Sequence, residues 1–186
     1  LSALVNNFLM FAKPTQGQRE LVALDAAVRE TLSLFEKDTA IFGKVSIQQT
    51  LANGVWVEID PVHLRQVLWN LLLNAAEAVS AGAERDDGPN RDSGQKGPVG
   101  HIHVQVAVAD DKTALLSIED DGEGMTPETV ADIFNPFFTT KADGTGLGLS
   151  IVHRILDSYQ AALDVYSRPG QGSRFSIRFH RSHGLA

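Results

Sequence analysis

The segment from Pro61 to Ser80 (PVHLRQVLWNLLLNAAEAVS) constrains this chain more than any other. Asp60 followed by Pro61 is a strong helix start, with Asp as N-cap and Pro at the first helical position. The pattern predicts a helix running to about Ser80. Leu64, Val67, Leu68, Leu71 and Leu72 make a wide apolar arc, which must be buried against another layer. Gln66, Asn70 and Asn74 stand four apart, so three amides share a neighbouring face.

The covering layer reads as a sheet. Val45–Gln49 and Val55–Ile59 alternate like strands on either side of Asn53-Gly54, a hairpin-type turn. Ile102–Val108 and Ala114–Glu119 form a second pair around Asp110-Asp111-Lys112, and Leu163–Tyr166 and Arg174–Phe179 a third across Pro169–Gly172. Helical spacing is expected over Glu20–Phe42, through Leu21, Leu24, Val28, Leu32 and Phe35 with Gly43 as the stop, and again over Leu147–Ser158. Ser80–Gly100 is rich in Gly, Asp, Ser, Asn and Pro and reads as a mobile surface loop. Leu1–Lys13 carries a short apolar stripe that needs a partner helix, and Pro14–Gly17 reads as a linker. The sum is an α/β chain, a two-layer sandwich of a mixed, mostly antiparallel sheet packed on helices, with an N-terminal helical stub.

Charge narrows the partners. The 186 residues hold 16 Lys+Arg against 23 Asp+Glu, a formal net charge of −7, without the basic footprint of a nucleic-acid binder. A polyphosphate can still be held where a metal ion or backbone N–H groups supply positive potential. With no cysteine, disulfides, thiolate zinc sites and cysteine nucleophiles are excluded. No run approaches the ~18 to 20 apolar residues of a membrane span.

Three further segments carry chemistry. Ile118–Met125 (IEDDGEGM) ends a strand in Asp and enters a Gly-x-Gly turn, setting a carboxylate acceptor beside permissive backbone. Asp143–Ser150 (DGTGLGLS) runs straight into the Leu147–Ser158 helix, so glycine backbone and a helix N-terminus can face phosphate. It is no Walker A loop, because no Lys-Ser/Thr pair follows its last glycine. Between them, Phe134, Phe137 and Phe138 read both as core and as the anchor of a movable lid (about Met125–Asp143), with Thr139, Thr140 and Lys141 in reach of phosphates.

In this order and spacing the segments resemble the ATP-binding catalytic domain of sensor histidine kinases, the GHKL or Bergerat fold shared with the Hsp90, gyrase and MutL ATPases. The N box resembles Gln66–Ala78, the first glycine box Asp120–Gly124, the F box Phe134–Phe138 and the second glycine box Gly144–Gly148. Leu1–Pro14 resembles the end of the second helix of the dimerisation and phosphoacceptor hairpin, in the nitrogen-regulation style, leaving 18–186 as the catalytic domain.

The resemblance implies a protein histidine kinase that binds Mg²⁺–ATP. Asn74 would coordinate Mg²⁺, with Asn70 and Gln66 alongside near the phosphates. Asp120 would accept the adenine amine, and Gly122 and Gly124 would let the base lie close. Lys141 and the N–H groups of Gly146, Leu147 and Gly148 would hold the β- and γ-phosphates, and Thr145 would order the lid. Asn70, Asn74 and Lys141 form the expected catalytic set. ATPases of this fold carry Glu where Asn70 stands, and an amide cannot serve as a base for water. A histidine acceptor needs less help, since neutral imidazole already has a lone pair. The γ-phosphoryl would go to a histidine of the hairpin, for relay to a response-regulator aspartate. The full-length protein is expected to be a homodimer, with a monomer compatible with this fragment alone. This chain is expected in the cytoplasm, as the cytoplasmic portion of a sensor with which a membrane anchor is compatible. A nucleotide-binding module without transfer and a GHKL-type ATPase are the alternatives. Two departures stand out: Tyr159-Gln160-Ala161 replaces the usual His-Gly-Gly, and Asp121 follows Asp120 where Asn is common. None of the six histidines lies in a phosphoacceptor motif, and His63 and His153 read as ordinary surface or satisfied histidines.

Overall fold

A computed structural model describes residues 17–37, 45–85, 100–141 and 144–182. The expected stub at 1–14 and the stop at Gly43 lie outside these residues, as does most of the Ser80–Gly100 loop. The strands are β1 (Glu20–Ala23), β2 (Val45–Leu51), β3 (Trp56–Ile59), β4 (Gly100–Asp110), β5 (Thr113–Asp120), β6 (Ala162–Ser167) and β7 (Ser173–Ser182). The helices are α1 (Leu24–Phe35), α2 (Pro61–Arg85), α3 (Pro127–Asp132) and α4 (Gly148–Ser158).

One sheet runs β1-β3-β7-β5-β4-β2, with β6 beside β7. Every pair is antiparallel except β2 with β4. Strand alternation sends one face into the core. Val104, Ile118 and Phe175 form one buried cross-strand row, and Val106, Leu116 and Ile177 the next. α2 lays Leu64, Val67, Leu68, Leu71 and Leu72 in this core, each 0–1% exposed, as the apolar arc requires. α1 adds Leu24, Val28, Leu32 and Phe35, and the Phe35 ring meets Trp69 edge-on at 5.3 Å.

Three expectations are corrected. Glu20–Ala23 is a strand, with helix starting only at Leu24. β7 reaches β3 only at Trp56 and Val57, so β3 needs a partner on its other edge, and Glu20–Ala23 pairs with its whole length. The Asn53–Gly54 turn forms, with Gly54 at φ +70°, but it joins no hairpin. β2 runs parallel to β4 at the sheet edge while β3 pairs with β1 and β7. Finally, α2 continues through residues expected to be loop, as far as Arg85. Ala81, Ala83, Glu84 and Arg85 are good helix formers, and Gly82 is a tolerable exception among them.

Candidate functional site

The site grows from α2. Asp60 caps it as expected, its Oδ1 accepting the Val62 N–H at 2.7 Å. One stripe of the helix, Asn70, Leu73, Asn74, Glu77 and Ala78, then walls a cleft of about 340 Å³, within the range of small-molecule sites. Asn70 is locked in place, donating through Nδ2 to the Gln66 carbonyl at 2.9 Å. Its Oδ1 faces the first residue of α4, since a Cβ on Gly148 would lie 3.0 Å away.

The sheet supplies Asp120. It is the last residue of β5, in a row with Ile102 of β4 and Ser173 of β7, on the core-facing side. It is 5% exposed. Burial pushes its carboxyl up to about 6, against hydrogen bonds from the Gly122 N–H (2.9 Å) and the Ser173 backbone that pull the other way. At neutral pH it is therefore mostly an anion, a strong acceptor at the end of a largely apolar recess lined by Met125, Ile133, Phe138 and Phe175. The neighbouring Asp121 and Glu119 carboxylates push the same way as burial, to a smaller extent, and the Asp121 Oδ1 itself accepts the His101 N–H at 2.7 Å.

Two glycines shape the turns. Gly124 (φ +64°) passes so close to the Arg168 carbonyl that no side chain fits there. Gly146 (φ +66°) lies flat against the Phe137 backbone, whose N–H donates to the Gly146 carbonyl at 2.9 Å. That contact ties the F-box segment to the start of α4. It also corrects the reading of Phe137 as core, because the residue adopts φ +68° and is 61% exposed. Phe138 lines the cleft, and Phe134 packs on the ring of His153.

α4 begins at the cleft. Leu147 at its N-cap offers no side-chain cap and no acid occupies the first turn, so its first N–H groups are unpartnered within the helix. The Leu147 N–H itself donates to Thr145 Oγ1 at 3.4 Å. Lys141 sits opposite, its ammonium donating to Asn74 Oδ1 at 3.3 Å and paired with the Glu77 carboxylate.

The cleft thus collects Asn70, Asn74, Asp120, Gly124, Lys141, Thr145, Gly146 and Gly148. Gln66, Gly122 and Leu147 stand off it. The Leu147 side chain is buried in the core, and Gly122 packs against the backbone of Ala78, where a Cβ would not fit. Glu77 is a site residue that sequence reasoning missed, although its place three residues after Asn74 puts it on the same helix face. Ser173 reaches the site only through sheet register and carries no sequence signal. Among the described residues no group of three or more His, Asp or Glu gathers as for a metal. Asn74 Oδ1 and the Glu77 carboxylate are nonetheless hard oxygen donors, and they already hold one cation, the Lys141 ammonium.

Residues 59–183 match the family described as histidine kinase-, DNA gyrase B-, and HSP90-like ATPase. The chain is 34% identical over 182 residues to the signal transduction histidine-protein kinase AtoS of Escherichia coli K12, covering 95% of this chain and 26% of AtoS. It is 34% identical to the sensor histidine kinase ZraS of Klebsiella oxytoca, covering 95% of this chain and 35% of ZraS. The chain therefore spans about a quarter to a third of these relatives. Among solved structures, the catalytic domain of histidine kinase ThkA superposes with a TM-score of 0.70 at 27% identity, over 88% of this chain and 96% of that one. Full-length ShkA in complex with AMPPNP superposes with a TM-score of 0.76 at 24% identity, over 99% and 36%. ThkA in complex with the response regulator protein TrrA gives 0.72 at 24%, over 97% and 48%.

Proposed function

This chain belongs to the family of histidine kinase-, DNA gyrase B- and HSP90-like ATPases, and on that premise we propose that it binds Mg²⁺–ATP and donates the γ-phosphoryl to a protein histidine. The observation that carries the proposal is the sharing of one cleft by the buried Asp120, by Asn74 and Lys141, and by the uncapped start of α4.

Each part has its task. Asp120 accepts a hydrogen bond from the adenine amine, and the recess beside it excludes water from the base. The backbone at Gly146–Gly148 and the α4 N-terminus face the phosphates, with Lys141 adding charge. Asn74 holds Mg²⁺ through its amide oxygen, with Glu77 beside it. The metal, when bound with the nucleotide, neutralises phosphate charge. Asn70 fixes the α2–α4 contact and offers no base for water, so transfer goes to an imidazole nitrogen. A P–N bond forms, the β–γ P–O bond breaks, and ADP leaves.

The acceptor belongs to a dimerisation hairpin of which residues 1–14 are the end, and 18–186 form the catalytic domain. The onward acceptor is a response-regulator aspartate, a partner of the kind with which ThkA has been solved. In this reading the whole protein is a homodimer and the catalytic part works in the cytoplasm. No helix among the described residues is long and apolar enough to cross a membrane.

The test mixes this chain with a separate phosphoacceptor hairpin and γ-labelled ATP. Acid-labile label on the hairpin's histidine is the expected result. ATP bound with no label transferred would leave only a nucleotide-binding module, and steady phosphate release without transfer would identify an ATPase.

A further inference from the structure

The nucleotide reading gives Lys141 to the phosphates, yet in the structure its ammonium is engaged by α2. Its ammonium lies between Asn74 Oδ1 and the Glu77 carboxylate, two oxygens one helical turn apart on the cleft face of α2. A carboxylate in that place has a definite consequence. Facing a polyphosphate alone, it opposes binding by like-charge repulsion. Facing it with a divalent cation between, it becomes a charged ligand, of the hard-oxygen type that suits Mg²⁺. The ammonium thus marks a cation position made by one neutral and one anionic oxygen.

We propose that Glu77 makes nucleotide binding metal-dependent: it keeps Lys141 against Asn74 in the free site, and releases the lysine to phosphate only as a divalent cation takes the ammonium's place. The proposal rests on the reading of this cleft as a Mg²⁺–ATP site. Without metal, ATP has to compete with Glu77 for Lys141, and success leaves a bare carboxylate beside the phosphates. With metal, the cation satisfies Glu77 and Asn74 together and the lysine is free for the nucleotide. In that exchange Glu77 has a cation beside it both before and after.

The pair is suited to such a test. The Glu77 and Lys141 side chains are 44% and 37% exposed, and ion pairs this exposed add little to stability, so either residue can be replaced in a folded chain. ATP is titrated calorimetrically into wild type, Glu77→Gln and Lys141→Met, each in excess Mg²⁺ and in EDTA, with thermal unfolding of the free proteins as the control for folding. The quantity read is the ratio of ATP affinities with and without Mg²⁺. In Glu77→Gln the competitor and the repulsion are gone, so EDTA binding tightens and the ratio falls about tenfold. In Lys141→Met the carboxylate has no counter-ion, so the ratio rises. A plain structural ion pair predicts neither change. A ratio equal to wild type in either folded variant overturns the proposal and leaves the Mg²⁺–ATP reading standing. Failure of the wild type to bind ATP under both conditions overturns that reading, and the proposal with it.

Discussion

α2 and α4 run in opposite directions, and their two contact zones are finished in contrasting ways. Where α2 begins and α4 ends, Asp60, His63, Tyr159 and Arg19 are tied together within the protein. The Asp60 carboxylate accepts from the N–H of Val62 at 2.7 Å and that of Gln18 at 2.8 Å. The Tyr159 hydroxyl meets His63 Nδ1 at 2.8 Å and the Asp60 N–H at 3.2 Å. Arg19 lies over the Tyr159 ring and donates to the Ser158 carbonyl. Where α4 begins against the middle of α2, the polar groups instead face a cleft. The helix has no side-chain cap, a carboxylate is buried at the expense of its acidity, and one lysine is divided between an amide and a carboxylate. Groups satisfied within the protein stabilise the fold; groups left to wait for a ligand do not. The first zone locks the two helices and the incoming chain together, so the groups of the second can face the cleft without loosening the pair.

This contrast is broken most severely at the cleft. Asn74→Ala removes the neutral oxygen of the proposed cation position. We expect Mg²⁺-dependent ATP affinity to fall by about a hundredfold. Thermal unfolding of the free chain should shift little, because the amide faces the cleft. Equal affinity in calorimetry would remove Asn74 from the site.

Asp120→Asn comes next and separates function from stability. Adenine recognition should weaken by about tenfold at neutral pH, as an ionic acceptor becomes a neutral amide. Stability moves the other way. The folded carboxyl is raised to about 6 from 3.8, so the wild type is penalised as pH rises through that window. Unfolding measured from pH 4 to pH 7 should show the variant gaining on the wild type, by on the order of 2 kcal/mol once pH exceeds 6. A pH-independent difference would mean that burial does not govern Asp120.

Much of the cleft is legible in the sequence alone, for a physical reason. Asn70, Asn74 and the apolar arc follow from helix periodicity, and the glycine run before α4 from backbone freedom next to a helix start. What stays hidden falls into two kinds. Ser173 depends on the register of β7 against β5, and the strand Glu20–Ala23 on which edge of the sheet needs a partner, and both are non-local. Four residues with Leu21 and Leu24 in helical spacing carry no local mark of that need. The other kind is local and simply easy to miss. Glu77 belongs to the same stripe as Asn74. α3 is announced by Thr126-Pro127, with Thr126 Oγ1 accepting the Thr129 N–H as an N-cap should.

The satisfied zone is sharpened by Tyr159→Phe. The phenyl ring keeps its packing and its contact with Arg19, while the hydroxyl shared by Asp60 and His63 disappears. His63 is 7% exposed, so its ring nitrogen loses a partner with little access to water. Denaturant unfolding should report a loss of about 1–2 kcal/mol, with ATP affinity unchanged. A drop in affinity comparable to that of Asn74→Ala would show that the two zones are not separable.

The smallest effect tests whether the satisfied zone is also relaxed. Gln160 follows the C-cap of α4 with φ +56°, a left-handed conformation that helices usually end on with glycine. The hydrogen bonds there are made: the Ala161 N–H donates to the Leu156 carbonyl at 3.0 Å and the Gln160 N–H to that of Asp157 at 3.0 Å. The zone is therefore complete in its bonds but strained in its backbone. The Gln160 side chain is exposed, so replacing it forfeits little packing. Gln160→Gly relieves the Cβ clash in the folded state and loses part of that gain to a more flexible unfolded chain. The net expectation is a gain of up to about 1 kcal/mol, read as a higher midpoint in thermal unfolding, at unaltered ATP affinity. Gln160→Ala, which keeps the Cβ, should show no such gain. A stabilised alanine variant would place the benefit in the loss of the glutamine side chain and not in the left-handed turn.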